Sequence, residues 1–287
     1  FGDAIEGSPA VEQGYLFVPV AAGDKVLRAY DLAQSREAWA FRNGAPLVAG
    51  VLTLGGRVFV ADVDGQVMAL DARTGEEVWR YRLRERPEAV LATPVAVAKD
   101  RIVLAGADGD VVCLNATDGV PVWRVALGVP VEVTPAAGEG RVYLATTRGR
   151  LLALEAASGT IRWTFALPDT TVRLAAPALA GQDLVFGASD GFLRMLDART
   201  GSLRWTYPAG DAITAPPLIT RSTVYVGTMG RKLVGVDRGT GALRWEQVLK
   251  GRVKSPMAAR DGVLVVLSEP KTVYAFIPEP PPVAGTR

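Results

Sequence analysis

The chain of 287 residues has no histidine and a single cysteine, and both scarcities exclude chemistry before any motif is read. Without histidine the commonest general base, the usual nucleophile–base triads and most transition-metal sites are gone. Cys113 lies in the apolar run Val111-Val-Cys-Leu114, where it reads as a small buried hydrophobe rather than a reactive thiol. A lone cysteine makes no intrachain disulfide, so cysteine usage reports no compartment. No run of eighteen apolar residues interrupts the chain, so it contains no candidate transmembrane helix. Neither sign of charge dominates: 32 basic against 30 acidic residues, spread along the chain, argue against a nucleic-acid surface, where Lys and Arg would cluster.

What is present is repetition. Trp39, Trp79, Trp123, Trp163, Trp205 and Trp245 are all the tryptophans of the chain and follow one another at intervals of 40, 44, 40, 42 and 40 residues. Eight residues before each stands an acidic or amide residue: Asp31, Asp71, Asn115, Glu155, Asp197 and Asp237. Between the two sits a turn signal such as Thr74-Gly75, Asp118-Gly119 or Thr200-Gly201, which decays to Ser35-Arg36 in the first copy. Ahead of each acidic residue, β-rich runs are joined by turns such as Asp64-Gly65, Asp108-Gly109 and Asp190-Gly191, the mark of a hairpin. Upstream again, a small-Pro pair (Ser8-Pro9, Thr93-Pro94, Thr134-Pro135, Ala176-Pro177, Ala215-Pro216, Ser255-Pro256) opens a short apolar run, with proline expected at the first strand residue. Each unit is therefore four short antiparallel strands, A to D, which at a period near forty residues is a propeller blade.

Seven A–B–C triplets start at Pro9, Ala49, Pro94, Pro135, Pro177, Pro216 and Pro256, but only six Trp strands follow them. The expected fold is all-β, a seven-bladed β-propeller of four-stranded antiparallel blades. A single domain over residues 1–277 is expected, followed by a Pro-rich tail at 278–287 that cannot supply a strand's N–H donors. Gly2-Asp-Ala-Ile5 resembles Gly210-Asp-Ala-Ile213, which follows a Trp strand. Residues 1–6, or sequence upstream of Phe1, are therefore expected to complete the last blade and close the ring through both termini. A start at Phe1 rather than Met reads as a processed or cut chain, so any signal or lipid-attachment segment would lie upstream.

The repeated residues read as structural. Tryptophan offers a large apolar ring and one N–H donor, suited to docking on the neighbouring blade. Asp71, Asp197, Asp237 and their equivalents suit the cap of the C–D turn. Asp62-Val-Asp64-Gly65 has the opening of a calcium loop but neither the later ligands nor the closing Glu, so no metal site is assigned. The strings Gly138-Glu-Gly140 and Gly227-Thr-Met-Gly230 follow no phosphate-loop spacing.

Ala72-Arg-Thr-Gly-Glu-Glu-Val-Trp79, Ala198-Arg-Thr-Gly-Ser-Leu-Arg-Trp205 and their relatives resemble the tryptophan-docking motif of the PQQ-like repeat propellers over essentially the whole chain. That family includes quinoprotein dehydrogenases, propeller sensors attached to bacterial kinases, and BamB-type lipoproteins of outer-membrane β-barrel assembly. A stand-alone set of simple forty-residue blades is most similar to the BamB-type group. The resemblance implies a non-enzymatic scaffold of the cell envelope, extracytoplasmic, that binds another envelope protein. A ligand-sensing propeller domain of a larger protein, such as a membrane-bound Ser/Thr kinase, is the alternative, and a PQQ-dependent dehydrogenase ranks last. The dehydrogenases resembled here hold their tricarboxylate quinone with Ca²⁺ and usually a vicinal Cys pair, which this chain lacks. Glu6, Glu132, Arg173, Asp211 and Lys254, near the expected axial mouth, are of mixed sign and read as paired or solvated charges, so no cofactor is assigned.

The B–C hairpin tips and the loops between blades share one face of a propeller. That face carries basic residues (Lys25, Arg148, Arg150, Arg231, Lys232, Lys271) and acidic ones (Asp24, Asp62, Asp64, Asp108, Asp110, Asp190), the acidic set falling in the earlier blades. Such unevenness can steer a partner. The longest loop between blades, Arg82 to Leu91, adds Arg84 and Arg86. Arg84, Arg86, Arg148, Arg150 and Arg231 are therefore the candidate partner-binding residues.

Overall fold

The computed structural model describes residues 7–20, 24–47, 50–83, 95–270 and 272–277. Within them the chain forms strands, bridges and turns, and no helix is long and apolar enough to cross a membrane. Two compact units divide it, Phe1–Thr171 and Val172–Arg287.

The first unit contains four sheets of four antiparallel strands, each a meander in chain order. They are β1 (Ala10–Glu12), β2 (Tyr15–Pro19), β3 (Lys25–Asp31) and β4 (Arg36–Arg42); β5 (Leu52–Leu54), β6 (Arg57–Ala61), β7 (Gln66–Asp71) and β8 (Glu77–Arg82); β9 (Val95–Ala98), β10 (Arg101–Ala105), β11 (Asp110–Asn115) and β12 (Pro121–Ala126); and β13 (Ala136–Gly138), β14 (Arg141–Ala145), β15 (Arg150–Glu155) and β16 (Ile161–Ala166). The second unit repeats the pattern with β17 (Ala178–Ala180), β18 (Asp183–Gly187), β19 (Phe192–Asp197) and β20 (Leu203–Pro208), then β21 (Leu218–Ile219), β22 (Thr223–Gly227), β23 (Lys232–Asp237) and β24 (Leu243–Val248). A three-stranded sheet of β25 (Ala258–Arg260), β26 (Val263–Ser268) and β27 (Thr272–Phe276) follows. These seven sheets are the blades of a seven-bladed β-propeller, the expected fold class. The fourth strand expected from residues 1–6, and the Pro-rich segment 278–287, lie outside the described residues.

The prolines are displaced from the expectation by one or two positions. Strands β1, β13 and β17 begin one residue after Pro9, Pro135 and Pro177, and β21 begins two after Pro216. With no N–H and a fixed φ, proline is accommodated just ahead of the ladder, not as its first member.

Blades pack face to face because strands B and C bury both of their faces. In the second blade, Val58, Val60, Met68 and Leu70 join a core with the first blade, while Phe59, Ala61, Val67 and Ala69 join one with the third. This two-sided burial accounts for near-continuous apolar runs where a one-sided strand would alternate with polar residues.

Six of the seven blades carry a register shift at one place between strands C and D, for example between Ala69 and Leu70, Cys113 and Leu114, or Met195 and Leu196. Leu70 pairs with Glu77 and Ala69 with Trp79, so Val78 is the extra residue of a β-bulge. The bulge sets each tryptophan opposite a short or flexible residue: Ala29, Ala69, Cys113, Ala153, Met195 or Gly235.

Candidate functional site

At Trp39, Trp79, Trp123 and Trp205 the repeated Trp, Asp and Gly assemble into a dock between successive blades. Trp39, Trp79, Trp123 and Trp205 donate their indole N–H to the carbonyls of Ala72, Ala116, Ala156 and Arg238 in the next blade, at 3.2, 3.0, 2.9 and 3.0 Å. Each acceptor follows the C-strand Asp, Asn or Glu by one residue. The ring then lies over the turn glycine: a Cβ on Gly75, Gly119, Gly159 or Gly241 would meet Trp39, Trp79, Trp123 or Trp205 at 2.5 to 2.8 Å. Within its own blade the ring tilts onto a strand-B aromatic, as in Phe17–Trp39, Phe59–Trp79 and Tyr143–Trp163, with centroids 5.7 to 5.9 Å apart. Trp79 and Trp205 are buried, and Trp39, Trp123, Trp163 and Trp245 are half-buried.

The carboxylates hold the turn on which the ring rests. Asp71 Oδ1 accepts from the backbone N–H groups of Arg73 and Thr74, Asp197 Oδ1 from Arg199 and Thr200, and Asp237 Oδ1 from Gly239 and Thr240. In the later blades the bulged residue ahead of each tryptophan is arginine, and it turns back to the carboxylate: Arg162 to Glu155, Arg204 to Asp197, Arg244 to Asp237. The Arg204 hydrogen bond, with help from the turn amides, holds the Asp197 carboxyl down at about 2. For Asp237 the Thr240 amide leads and Arg244 follows, again giving about 2. Asp71, whose carboxylate bonds Thr74 and Arg73 amides, is also lowered. The residue before the tryptophan was a missed functional position. Its signal was present, since Arg162, Arg204 and Arg244 each stand seven residues after the acidic partner.

The B–C tips look different once side chains are placed. Asp62 and Asp110 do not contribute to an acidic rim, because both are buried. Asp62 accepts from the amides of Asp64 and Gln66 and from the side chains of Asn43 and Gln66. Asp110 is paired with Arg124, and Asp24 with Arg42. On the basic side Lys25 pairs with Glu37 at 3.6 Å and Lys232 with Glu246 at 3.7 Å. Arg148 and Arg150, on the hairpin joining β14 and β15, are exposed and have no charged partner among the described residues. Arg231, on the hairpin joining β22 and β23, is likewise exposed, with φ at +67°. Arg84 and Arg86 lie outside the described residues, as do Glu6 and Lys271.

The donor set does not fit a tricarboxylate quinone. Lys254 is bound to Glu269 at 2.9 Å, and Asp211 adds a negative charge where a Cβ on Gly230 would stand. Burial pushes the Cys113 thiol up to about 11, and it has no vicinal cysteine. Among the described residues no three metal-ligating side chains gather.

The family described as outer membrane protein assembly factor BamB matches residues 2–98, 85–215 and 208–278, nearly the whole chain. The chain belongs to this family. It is 35% identical to outer membrane protein assembly factor BamB of Vibrio cholerae serotype O1 over 205 residues, which cover 67% of this chain and 53% of the relative. Against BamB of Yersinia pestis identity is 26% over 147 residues, 48% of this chain and 37% of the relative. Quinoprotein alcohol dehydrogenase PedH of Pseudomonas putida is 40% identical over only 76 residues, which are 26% of this chain and 12% of the relative. That stretch is about two blades long, so it reflects the shared repeat and leaves most of the dehydrogenase unmatched. The chain thus spans about half or less of the length of these curated relatives. In structure it is similar to BamB from Moraxella catarrhalis, with a TM-score of 0.80 at 20% identity over 95% of this chain and 85% of that one, a likeness of fold.

Proposed function

We propose that the protein is a non-enzymatic scaffold of the cell envelope. It acts outside the cytoplasm as a BamB-type factor in outer-membrane protein assembly and holds another envelope protein on its B–C tip face. One observation carries the reading: the repeated polar residues are spent inside the fold as turn caps and ion pairs, while Arg148, Arg150 and Arg231 project without charged partners among the described residues. Exposed, unpaired guanidinium groups on rigid hairpins recognise carboxylates with two parallel hydrogen bonds, so an acidic surface on the partner fits them. Arg84 and Arg86, outside the described residues, are further arginines of the same chemistry and are tested separately.

The test compares the wild-type protein with an R148E/R150E/R231E variant, and separately with R84E/R86E, as baits for solubilised envelope proteins. The wild type is expected to retain an outer-membrane assembly component, and the reversed variants to lose it with unchanged melting. Equal retention by wild type and variants would sink the proposed surface. Turnover of an alcohol on addition of PQQ and Ca²⁺ would sink the non-enzymatic reading.

A further inference from the structure

The junction between the fifth and sixth blades carries charges that the repeat does not call for. The residue after the C-strand Asp, Asn or Glu is Leu32, Ala72, Ala116, Ala156 or Ala198 in the first five blades, but Arg238 in the sixth. Strand B opens with Arg57, Arg101 and Arg141 in the second to fourth blades, but with Asp183 in the fifth. Arg238 reaches back across the junction. Its Nε donates to Asp183 Oδ2 at 2.6 Å, and its terminal nitrogens donate to the carbonyls of Thr220 and Ala180 at 3.1 and 2.9 Å. Arg204 donates to the other Asp183 oxygen and to Asp197. Arg244 holds Asp237 and reaches the hydroxyls of Ser222 and Thr223. Among these side chains opens a hollow of about 430 Å³, lined chiefly by Asp183, Met195, Arg204, Arg221, Arg238 and Arg244. All of its lining lies within the second compact unit.

The hollow is rich in donors and short of acceptors. Asp183 gives one oxygen to Arg204 and the other to Arg238. Asp237 Oδ1 takes the amides of Gly239 and Thr240, and its Oδ2 takes Arg244. Asp197 is divided in the same way between turn amides and Arg204. A guanidinium carries five N–H groups in a fixed fork and accepts nothing. Arg204 makes two hydrogen bonds and Arg238 three among the described residues, so neither exhausts its donors. Arg221, in the turn joining β21 and β22, is exposed and has no partner among the described residues. Four arginines against three aspartates also leave one positive charge over. Pairing across the junction accounts for Arg204, Arg238 and Arg244 but gives Arg221 nothing to do. What such a site takes is an acceptor bearing negative charge. Met195, 1% exposed, adds an apolar wall.

We propose that this hollow binds a small organic oxyanion, a phosphate or carboxylate group carried on an apolar body. The Arg221 fork donates two parallel N–H groups to the oxyanion, the unused N–H groups of Arg204 and Arg238 meet its remaining oxygens, and the apolar body rests against Met195. The volume is that of a small-molecule site, about 300–1,000 Å³, rather than of a bare ion. The site stands at the strand ends opposite the Arg231 hairpin, so it is independent of the partner-binding surface.

Calorimetric titration of the protein with phenyl phosphate and, separately, with benzoate tests this, in low-salt buffer free of other oxyanions. Saturable binding at one site is expected for at least one probe, and the tighter of the two names the source as phosphate or carboxylate. Arg221→Gln should weaken it by about tenfold or more. Arg252→Gln, an exposed change on the loop after β24, should leave it unchanged. No saturable binding of either probe overturns the site. So does equal affinity in Arg221→Gln and wild type, or an equal loss in Arg252→Gln, which marks general attraction to a basic surface. Arg221 is exposed and without a partner, so its variant should melt as the wild type does. A readout on the wild type alone keeps the test independent of any variant. The bound probe should slow phenylglyoxal modification of Arg221 and not of Arg252, and equal slowing or none at both overturns the site.

Discussion

Trp79 and Gly119 belong to consecutive blades and touch without room for a methyl group. A Cβ on Gly119 would stand 2.8 Å from the indole ring, and Gly119 is at φ +74°, a conformation L side chains avoid. Gly181 gives the control, with φ +61° and nothing within 4 Å of its Cβ position. Gly181→Ala should cost about 1 kcal/mol from backbone strain alone. Gly119→Ala should cost a further 1–3 kcal/mol or so, because the ring must be displaced. Urea unfolding of the two variants measures the difference, and equal costs would mean that the dock yields freely.

Ring and donor can be separated at Trp79. Trp79→Ala is expected to destabilise by about 3–5 kcal/mol, as a large core side chain is deleted. Trp79→Phe retains most of the packing but leaves the Ala116 carbonyl without its donor, and should cost about 1–3 kcal/mol. Calorimetry on both variants checks the order.

Acid should weaken the later blades through their turn carboxylates. Asp197 and Asp237 are held at about 2 in the folded chain, below the ordinary 3.8. A depressed folded pKa contributes stability that is complete above the unfolded value and is lost as pH falls through the folded one. The urea midpoint should therefore fall between about pH 4 and pH 2. An Asp197→Asn, Asp237→Asn variant keeps the amide-accepting oxygen but cannot titrate, and should start lower at pH 6 and lose less on acidification. Parallel acid profiles for the variant and the wild type would contradict this origin.

Two hairpin-tip residues should behave in opposite ways. Asp62 is buried and accepts four hydrogen bonds, so Asp62→Ala strands the Asp64 and Gln66 amides at about 1–3 kcal/mol for each donor that water cannot reach. Arg148→Glu changes an exposed side chain and should shift stability by less than about 0.5 kcal/mol. Thermal melts of the pair distinguish a structural tip residue from one available to a partner.

The blades were legible because their signals are local. Asp-Gly at 64–65 and 108–109 marks a hairpin wherever it occurs, and a tryptophan every forty-odd residues counts the units. The acceptors of the docks were not legible. Ala72 and Ala116 act through backbone carbonyls, which carry no side-chain signature, and they lie one blade away. The rim was misread for a related reason. Asp62 and Asp24 are the same residue type in equivalent tips, yet one is enclosed by Asn43 and Gln66 and the other points into solvent against Arg42. Neighbours 18 or 19 residues away, Arg42 for Asp24 and Asn43 for Asp62, help to separate those fates. The paired Arg162, Arg204 and Arg244 need the bulge as well, since an unbroken ladder would direct them elsewhere.

Each dock also has a direction in time. In the four docks found among the described residues, the carbonyl that receives the tryptophan lies 33 or 37 residues further along the chain. A blade that becomes free to fold N-terminus first is therefore incomplete until its successor follows, and the arrival of each new C–D turn closes the unit behind it. Folding can advance from the N-terminus one step at a time, through contacts of modest sequence separation that all-β chains seldom offer. The growing chain then bares one unfinished dock at its tip, whatever its length.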